Sequence, residues 1–326
     1  MTTSKSSFRR LANVDWLGLL GVVLAACLLM SIVTPAFRSN YNLWVLLRDV
    51  AITLLVGLSQ MIVLAIGQMN LSVGYLGGLV VVITGGLMEV WHLPIGVAVA
   101  IGILIGALGG LLNGFLIVRT GINSFIVTIA TGSIFLGLNF GLTEARPFYN
   151  MPREFVAFGQ GRMGFFPPIG FVTIIVTVMM AILMSRMVPG RQILAVGGNL
   201  AAAETSGIPI KNRIVLAHVL SGVLAAIAGI MLMARLGQAQ PNIGQTWLLM
   251  SFAVPIIGGV ALTGGSVTIV GTILAAFLIS IIQDALVLLN VDPYYVQFFL
   301  GLLILAAVGF DRLSKQRRRP QKGGAR

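Results

Sequence analysis

Runs of about 18 or more apolar residues recur along this chain from Trp16 almost to its end, each about 30 Å long as a helix. That length matches the hydrocarbon core of a bilayer, where backbone groups must be satisfied inside the chain, so that only helices or closed barrels can span. The short alternating segments of a barrel are absent. Composition agrees: 57% of the 326 residues are hydrophobic and only 9% charged, with a mean hydropathy of +1.00. A soluble domain carries about 25% charged residues, so this surface cannot be wetted on all sides. The expected fold is an all-α polytopic integral membrane protein with one transmembrane domain over 1–326.

Ten spans can be placed: 16–35, 46–66, 71–88, 93–118, 123–142, 167–186, 213–235, 247–263, 267–290 and 294–310. The first follows "KSSFRR" as a secretory signal would. It is too long for a signal core and lacks a small-x-small cleavage pattern before Pro35, so it is read as a retained helix. An even count puts both termini on one side. With the termini inside, 15 of the 21 basic residues are inside, among them Arg119, Arg186, Arg191, Lys211 and Arg213. Seven of them lie in the tail 312–326. This asymmetry predicts cytoplasmic termini, a membrane bundle over 15–311 and a basic cytoplasmic tail. The net charge of +12 therefore points to the lipid surface, not to nucleic acid. Two connections are long: an outer one at 143–166 and an inner one at 188–212, rich in small residues. The glycine runs at 106–114 and 264–271 are read as close helix packing in preference to a degenerate duplication.

The chain lacks the residues of most chemistries. None of its four lysines sits in a Gly-Lys-Ser/Thr phosphate loop, so it is not an ATPase, and no catalytic residues are assigned. His92 and His218 have no second metal-type ligand at helical spacing, and His218 is expected to hydrogen-bond within its bundle. The single cysteine, Cys27, forms no intrachain disulfide. Of the acids, only Asp284 falls clearly inside a span, thin support for a proton relay. The chain reads as a passage whose energy source lies elsewhere.

Two stretches carry the functional signal. In "AVGGNLAAAETSGIPI", 195–210, Asn199 or Gly198 can cap a short helix over Leu200 to Thr205, with Ala202 and Ala203 in its alanine run, which Ser206 and Gly207 end and Pro209 keeps from resuming. In "IGQMNLSVG", 66–74, the uncharged polar residues Gln68, Asn70 and Ser72 stand two apart between Gly67 and Gly74. On a helix they would point to opposite faces; in an extended break they share one. Such a break could line a path for a neutral, hydroxyl-rich solute, with Gln60 as a further contributor. Alternatively Asn70 or Ser72 simply caps the next helix.

The first stretch resembles the cytoplasmic coupling segment of ABC-importer permeases, whose loose pattern is Ala-Ala, three residues, then Gly. Ala202, Ala203 and Gly207 match it, and Ala201 takes the place of the usual acid. "GQMNLSVG" resembles the Gly-x-x-Asp-Leu-Ser-Val-Gly signature of permeases from ribose-type monosaccharide importers, with Asn70 in place of Asp. "LLNGFLIVRTGINSFIVTIAT" and "PIIGGVALTGGSVTIVGTILAA" resemble that family in the same order, so the likeness spans nearly the whole chain. The resemblance implies a permease subunit of the bacterial inner membrane that imports a monosaccharide or related polyol. Implied partners are an ABC ATPase, usually a tandem one, that binds the ATP and Mg, a soluble sugar-binding protein outside, and a second permease copy or paralogue. Gly198, Asn199, Leu200, Ala202, Ala203, Ser206 and Gly207 would couple to the ATPase, and this chain would hold no cofactor. The competing readings are an ion-coupled secondary carrier using Asp284 and a membrane anchor or assembly subunit.

Overall fold

A computed structural model of the protein describes residues 16–292 together with 295, 297–299, 301, 302 and 305. The residues before Trp16, most of the expected span 294–310 and the tail 312–326 lie outside the described residues, and so does the expected sidedness of the termini. Every regular element among the described residues is a helix. In order the helices are α1 Trp16–Val33, α2 Asn40–Ala65, α3 Val73–Glu89, α4 Ile95–Thr120, α5 Ser124–Thr143, α6 Arg153–Gln160, α7 Pro168–Ser185, α8 Val188–Gly198, α9 Leu200–Thr205, α10 Ile210–Leu236, α11 Trp247–Ile257 and α12 Ile269–Leu288.

Their ends follow local chemistry. Ser39 caps α2 by accepting the Asn42 N–H at 3.1 Å, and Asn123 caps α5 by accepting the Phe125 N–H at 2.9 Å. Gly121 and Gly237 end α4 and α10 in the left-handed conformation, at φ 70° each.

Among the seven long helices α2 and α10 are the most buried, and they form the centre, with α3, α4, α11 and α12 packed around them. Lipid supplies no hydrophobic drive between helices, so close approach has to come from small residues. On α4, Gly102, Gly106, Gly110 and Gly114 recur every fourth position; the last three face α10, and Gly102 sits between Thr84 of α3 and Ile230 of α10. A methyl group on Gly106 would overlap Ala226 and the Gly222 carbonyl, and one on Gly110 would overlap the His218 carbonyl. The glycine run at 106–114 is therefore a helix contact, as expected. Leu28 and Ile32 of α1, Ile134 of α5 and Met179 of α7 are exposed on the periphery, where lipid takes the place of water.

Seven described helices are long and apolar enough to cross a membrane: α1, α2, α4, α5, α7, α10 and α12. Helices α3 and α11 are shorter. The expected span 247–263 needs correction. Its helical part is only Trp247–Ile257, followed by turns over 258–268 in which Gly259, Gly264 and Gly265 take positive φ. The chain reaches α11 through 237–246, a non-helical stretch containing Pro241 and Gly244. The outer connection holds α6, whose Gly159 backs onto Ala234 at the end of α10. At that same end Arg235 pairs with Asp49 of α2, and Arg48 lies 4.1 Å over the Trp44 ring.

Candidate substrate path and coupling loop

Helices α2 and α3 are separated by a true break at residues 66–72. Every N–H in it has a partner. Those of Ile66, Gly67 and Gln68 bond back to Val63 and Leu64 carbonyls, closing α2. The Met69 N–H donates to Ser124 Oγ at 3.1 Å and the Leu71 N–H to Thr128 Oγ1 at 3.0 Å, both on α5. The Ser72 N–H donates to Asn70 Oδ1 at 3.0 Å. Gln60 takes the remaining groups once its side-chain O and N are exchanged, the one orientation that satisfies both: its amide then donates to the Asn70 carbonyl at 2.8 Å and accepts the Asn70 N–H at 3.3 Å. This accounting explains how irregular backbone survives inside an apolar bundle.

The side chains form one connected network. Asn70 Nδ2 donates to Ser221 Oγ on α10 at 3.0 Å, and Asn70 Oδ1 accepts from Ser72 Oγ at 2.7 Å. Asn113 of α4 donates to Ser72 Oγ at 2.8 Å and accepts from Thr131 Oγ1 at 2.6 Å. Gln60, Asn70 and Ser72 have no exposure. As walls of an open path these three therefore require correction: they point at one another and at α4 and α10, because lone amides at this depth must find protein partners. Ser72 makes no side-chain cap on α3, and Asn70 supplies the acceptor for its N–H instead.

Gln68 differs. It is only half-buried and lines a cavity of about 750 Å³ with Met69, Asn123, Ser124 and Lys211, at the end of α4 and the starts of α5 and α10. Its Oε1 accepts from His218 Nε2 at 2.9 Å, so His218 is hydrogen-bonded within the bundle, as expected. Asp284 accepts a 2.7 Å hydrogen bond from Asn42 at the opposite end of α2.

The inner connection folds into α8 and α9. Asn199, not Gly198, is the cap: its side chain accepts the Ala202 N–H at 3.0 Å, while Gly198 is the last residue of α8. Ser206 ends α9 by bonding back to Ala202, and Gly207 follows at φ 71°. Leu200 is 55% exposed, and Ala201, Ala202 and Glu204 are exposed with it. Ala203 is a correction. It is 3% exposed and packs into this chain's own core, since on so short a helix one position in four must face the bundle.

Gly197 and Gly198 sit where the two irregular regions meet. A methyl group on Gly197 would overlap the Ala65 carbonyl, and one on Gly264 would press on the Gly67 backbone. The Gly265 N–H donates to the Ala65 carbonyl at 3.0 Å. Backbone meets backbone here, with no side chain between.

One region was not singled out from sequence. Residues 237–246 leave the C-terminal end of α10 and run along α3: Ala239, Ile243 and Gly244 meet Gly85, Gly78 and Gly74 in turn. From Gly85 to Gly74 is about 16 Å at the α-helical rise, half the depth of the hydrocarbon core. The available signal was "QAQPNIGQT", uncharged amides around Pro and Gly, in the same style as "GQMNLS".

The family model described as "Branched-chain amino acid transport system / permease component" matches residues 42–308. The chain belongs to this permease family. It is 34% identical to a ribose import permease protein of Bacillus subtilis over 87% of this chain and 89% of that one. It is 33% identical to a D-allose transport system permease protein of Escherichia coli over 85% of each chain. An L-arabinose transport system permease protein of Escherichia coli is 30% identical over 97% of this chain and 96% of its own length. No solved structure matches. The chain is thus a transport permease subunit, a multi-pass protein of the bacterial inner membrane.

Proposed function

We propose that this permease belongs to an ATP-driven importer for a monosaccharide or related polyol delivered by a soluble binding protein. The observation that carries the reading is its likeness, over most of its length, to permeases named for ribose, D-allose and L-arabinose. Two copies, or this chain and a paralogue, would frame the path. A separate, tandem ATPase would bind the ATP and Mg, and this chain would need no cofactor of its own.

The geometry suggests how force would travel. An ATPase docked on the exposed Leu200 and Ala202 of α9 would move α8, to which Asn199 and Gly198 join it. The end of α8 touches Ala65 and Gly265 through backbone alone, so little soft side-chain packing would absorb the displacement. Ser206 and Gly207 would fix how α9 leaves the loop, and Ala203 would hold it to the bundle. At the break, Gln68 would meet the solute at the cavity, while Gln60, Asn70 and Ser72 keep the break in shape. A carboxylate at residue 70 is not needed for either task.

Reconstitution with the ATPase and binding protein tests this reading. Uptake of one of D-ribose, D-allose or L-arabinose should require ATP and persist without any ion gradient. Uptake driven by a proton or sodium gradient in the absence of ATP would replace it with the secondary carrier, in which Asp284→Asn should then be inactive.

A further inference from the structure

The stretch 237–246 is irregular backbone at membrane depth that the protein itself does not satisfy. The N–H groups of Gln240, Asn242, Gly244 and Thr246 have no acceptor among the described residues. Asn242, Gln245 and Thr246 are exposed, Gln238 and Gln240 half-exposed, and none of these five side chains hydrogen-bonds to a described residue. Yet the stretch is firmly seated. Its other side lies against α3 at Gly74, Gly78 and Gly85, where a methyl group on any of the three would collide with it, and Trp247 anchors its lower end in the core. It is a fixed element with one dry face and one polar face.

Lipid cannot face such a surface, because open N–H and amide groups find no partners in hydrocarbon. Irregular backbone is tolerated at that depth only beside protein or a water-filled cavity. From this we infer that 238–246 lines the outer half of the solute path, with Asn242, Gln245 and Thr246 as the residues that meet the solute. The stretch contains no charge, and Asn and Gln amides both donate and accept, which suits a neutral, hydroxyl-rich ligand. The inference rests on the proposed sugar import for its ligand class, but not for its prediction that the face is wet.

The test uses the complete permease with Cys27→Ser and single replacements Asn242→Cys, Gln245→Cys and Thr246→Cys. Lipid-facing controls are Ile134→Cys and Met179→Cys, at positions 58% and 63% exposed. A charged, membrane-impermeant thiol reagent reacts only with a thiol that meets water and can ionise. Added from outside, it should modify the three path positions at least tenfold faster than the two controls. Modification no faster than at the controls would overturn the inference and leave the face covered by a second copy of the chain. In the reconstituted importer, Gln245→Leu should lower D-ribose, D-allose or L-arabinose uptake about tenfold at wild-type membrane levels, and Gln245→Asn should restore most of it. Rapid labelling with unimpaired uptake by the leucine variant would also overturn it, since the face would then be wet without serving the solute. If the unsubstituted permease moves none of these sugars with ATP, the proposed function fails, while the labelling rates still decide whether the face is wet.

Discussion

Residues 66–72 and 237–246 both carry non-helical backbone into the membrane, and they treat its polar groups in opposite ways. In the first, each N–H is claimed by α2, α5, Asn70 or Gln60, and Asn70 and Ser72 are fully buried in a network that also ties in α4 and α10. In the second, the N–H groups of Gln240, Asn242, Gly244 and Thr246 lack an acceptor among the described residues, and the Asn242, Gln245 and Thr246 side chains are exposed on one face. The two stretches look alike as sequence, uncharged, amide-rich and punctuated by glycine. What separates them is whether neighbouring helices present acceptors and donors. A polar break in an apolar chain is therefore not by itself a path: at Asn70 and Ser72 the first is a sealed joint that opens only at Gln68, while the second presents an exposed polar face.

The comparison breaks most severely at the contact that seats the second stretch on α3, just past the end of the first. Gly74 and Gly244 touch carbonyl to α-carbon, so Gly74→Val and Gly244→Val should each forfeit a well-folded protein. The expected cost is at or above the about 1–3 kcal/mol usual for overpacking. Gly137→Val, with open space beside it, should fold normally. Size-exclusion profiles of the detergent-solubilised proteins read the difference, and a normal profile for both tight-site variants would deny that the second stretch is seated on α3.

The same chemical change made in both stretches sharpens the contrast. Asn70→Leu strips partners from Ser72 and Ser221, each buried group costing about 1–3 kcal/mol when left unpaired. It should lower the melting temperature clearly, and Asn70→Asp, which keeps the acceptor for Ser72, should lower it less. Asn242→Leu should leave melting unchanged. Equal destabilisation by the two leucine variants would erase the distinction between sealed and open.

A smaller contrast lies within α9. Ala202→Glu adds a charge on the exposed face and should weaken co-purification of the ATPase about tenfold, roughly 1.4 kcal/mol, without loss of stability. Ala203→Glu should instead lower melting, because its carboxylate would enter the core unpaired. If Ala202→Glu retains full attachment, α9 is not the docking element. The smallest effect is expected at Glu204→Ala, exposed and without a partner to lose, where stability should stay within about 0.5 kcal/mol and ATPase attachment should be unaltered.

Much of this protein was determined by residue order alone, because the bilayer leaves a chain so few options. Long apolar runs with almost no charge must be helices, and α1, α2, α4, α5, α7, α10 and α12 fall where those runs were read. The α9 helix was legible too, since Asn199, three alanines, Ser206-Gly207 and Pro209 are start, body and stop within one short stretch. What sequence could not decide was which polar groups meet each other. Asn70 and Ser221 are 151 positions apart, and Gln68 and His218 are 150 apart, so nothing local announced those pairings. Nor could helical periodicity tell that Ala203 faces inward and Ala202 outward on a helix of six residues. Only the packing of α10 against α4 and of 237–246 against α3 settled which polar break was sealed and which left open, because hydrogen-bond satisfaction depends on neighbours that the chain brings together from afar.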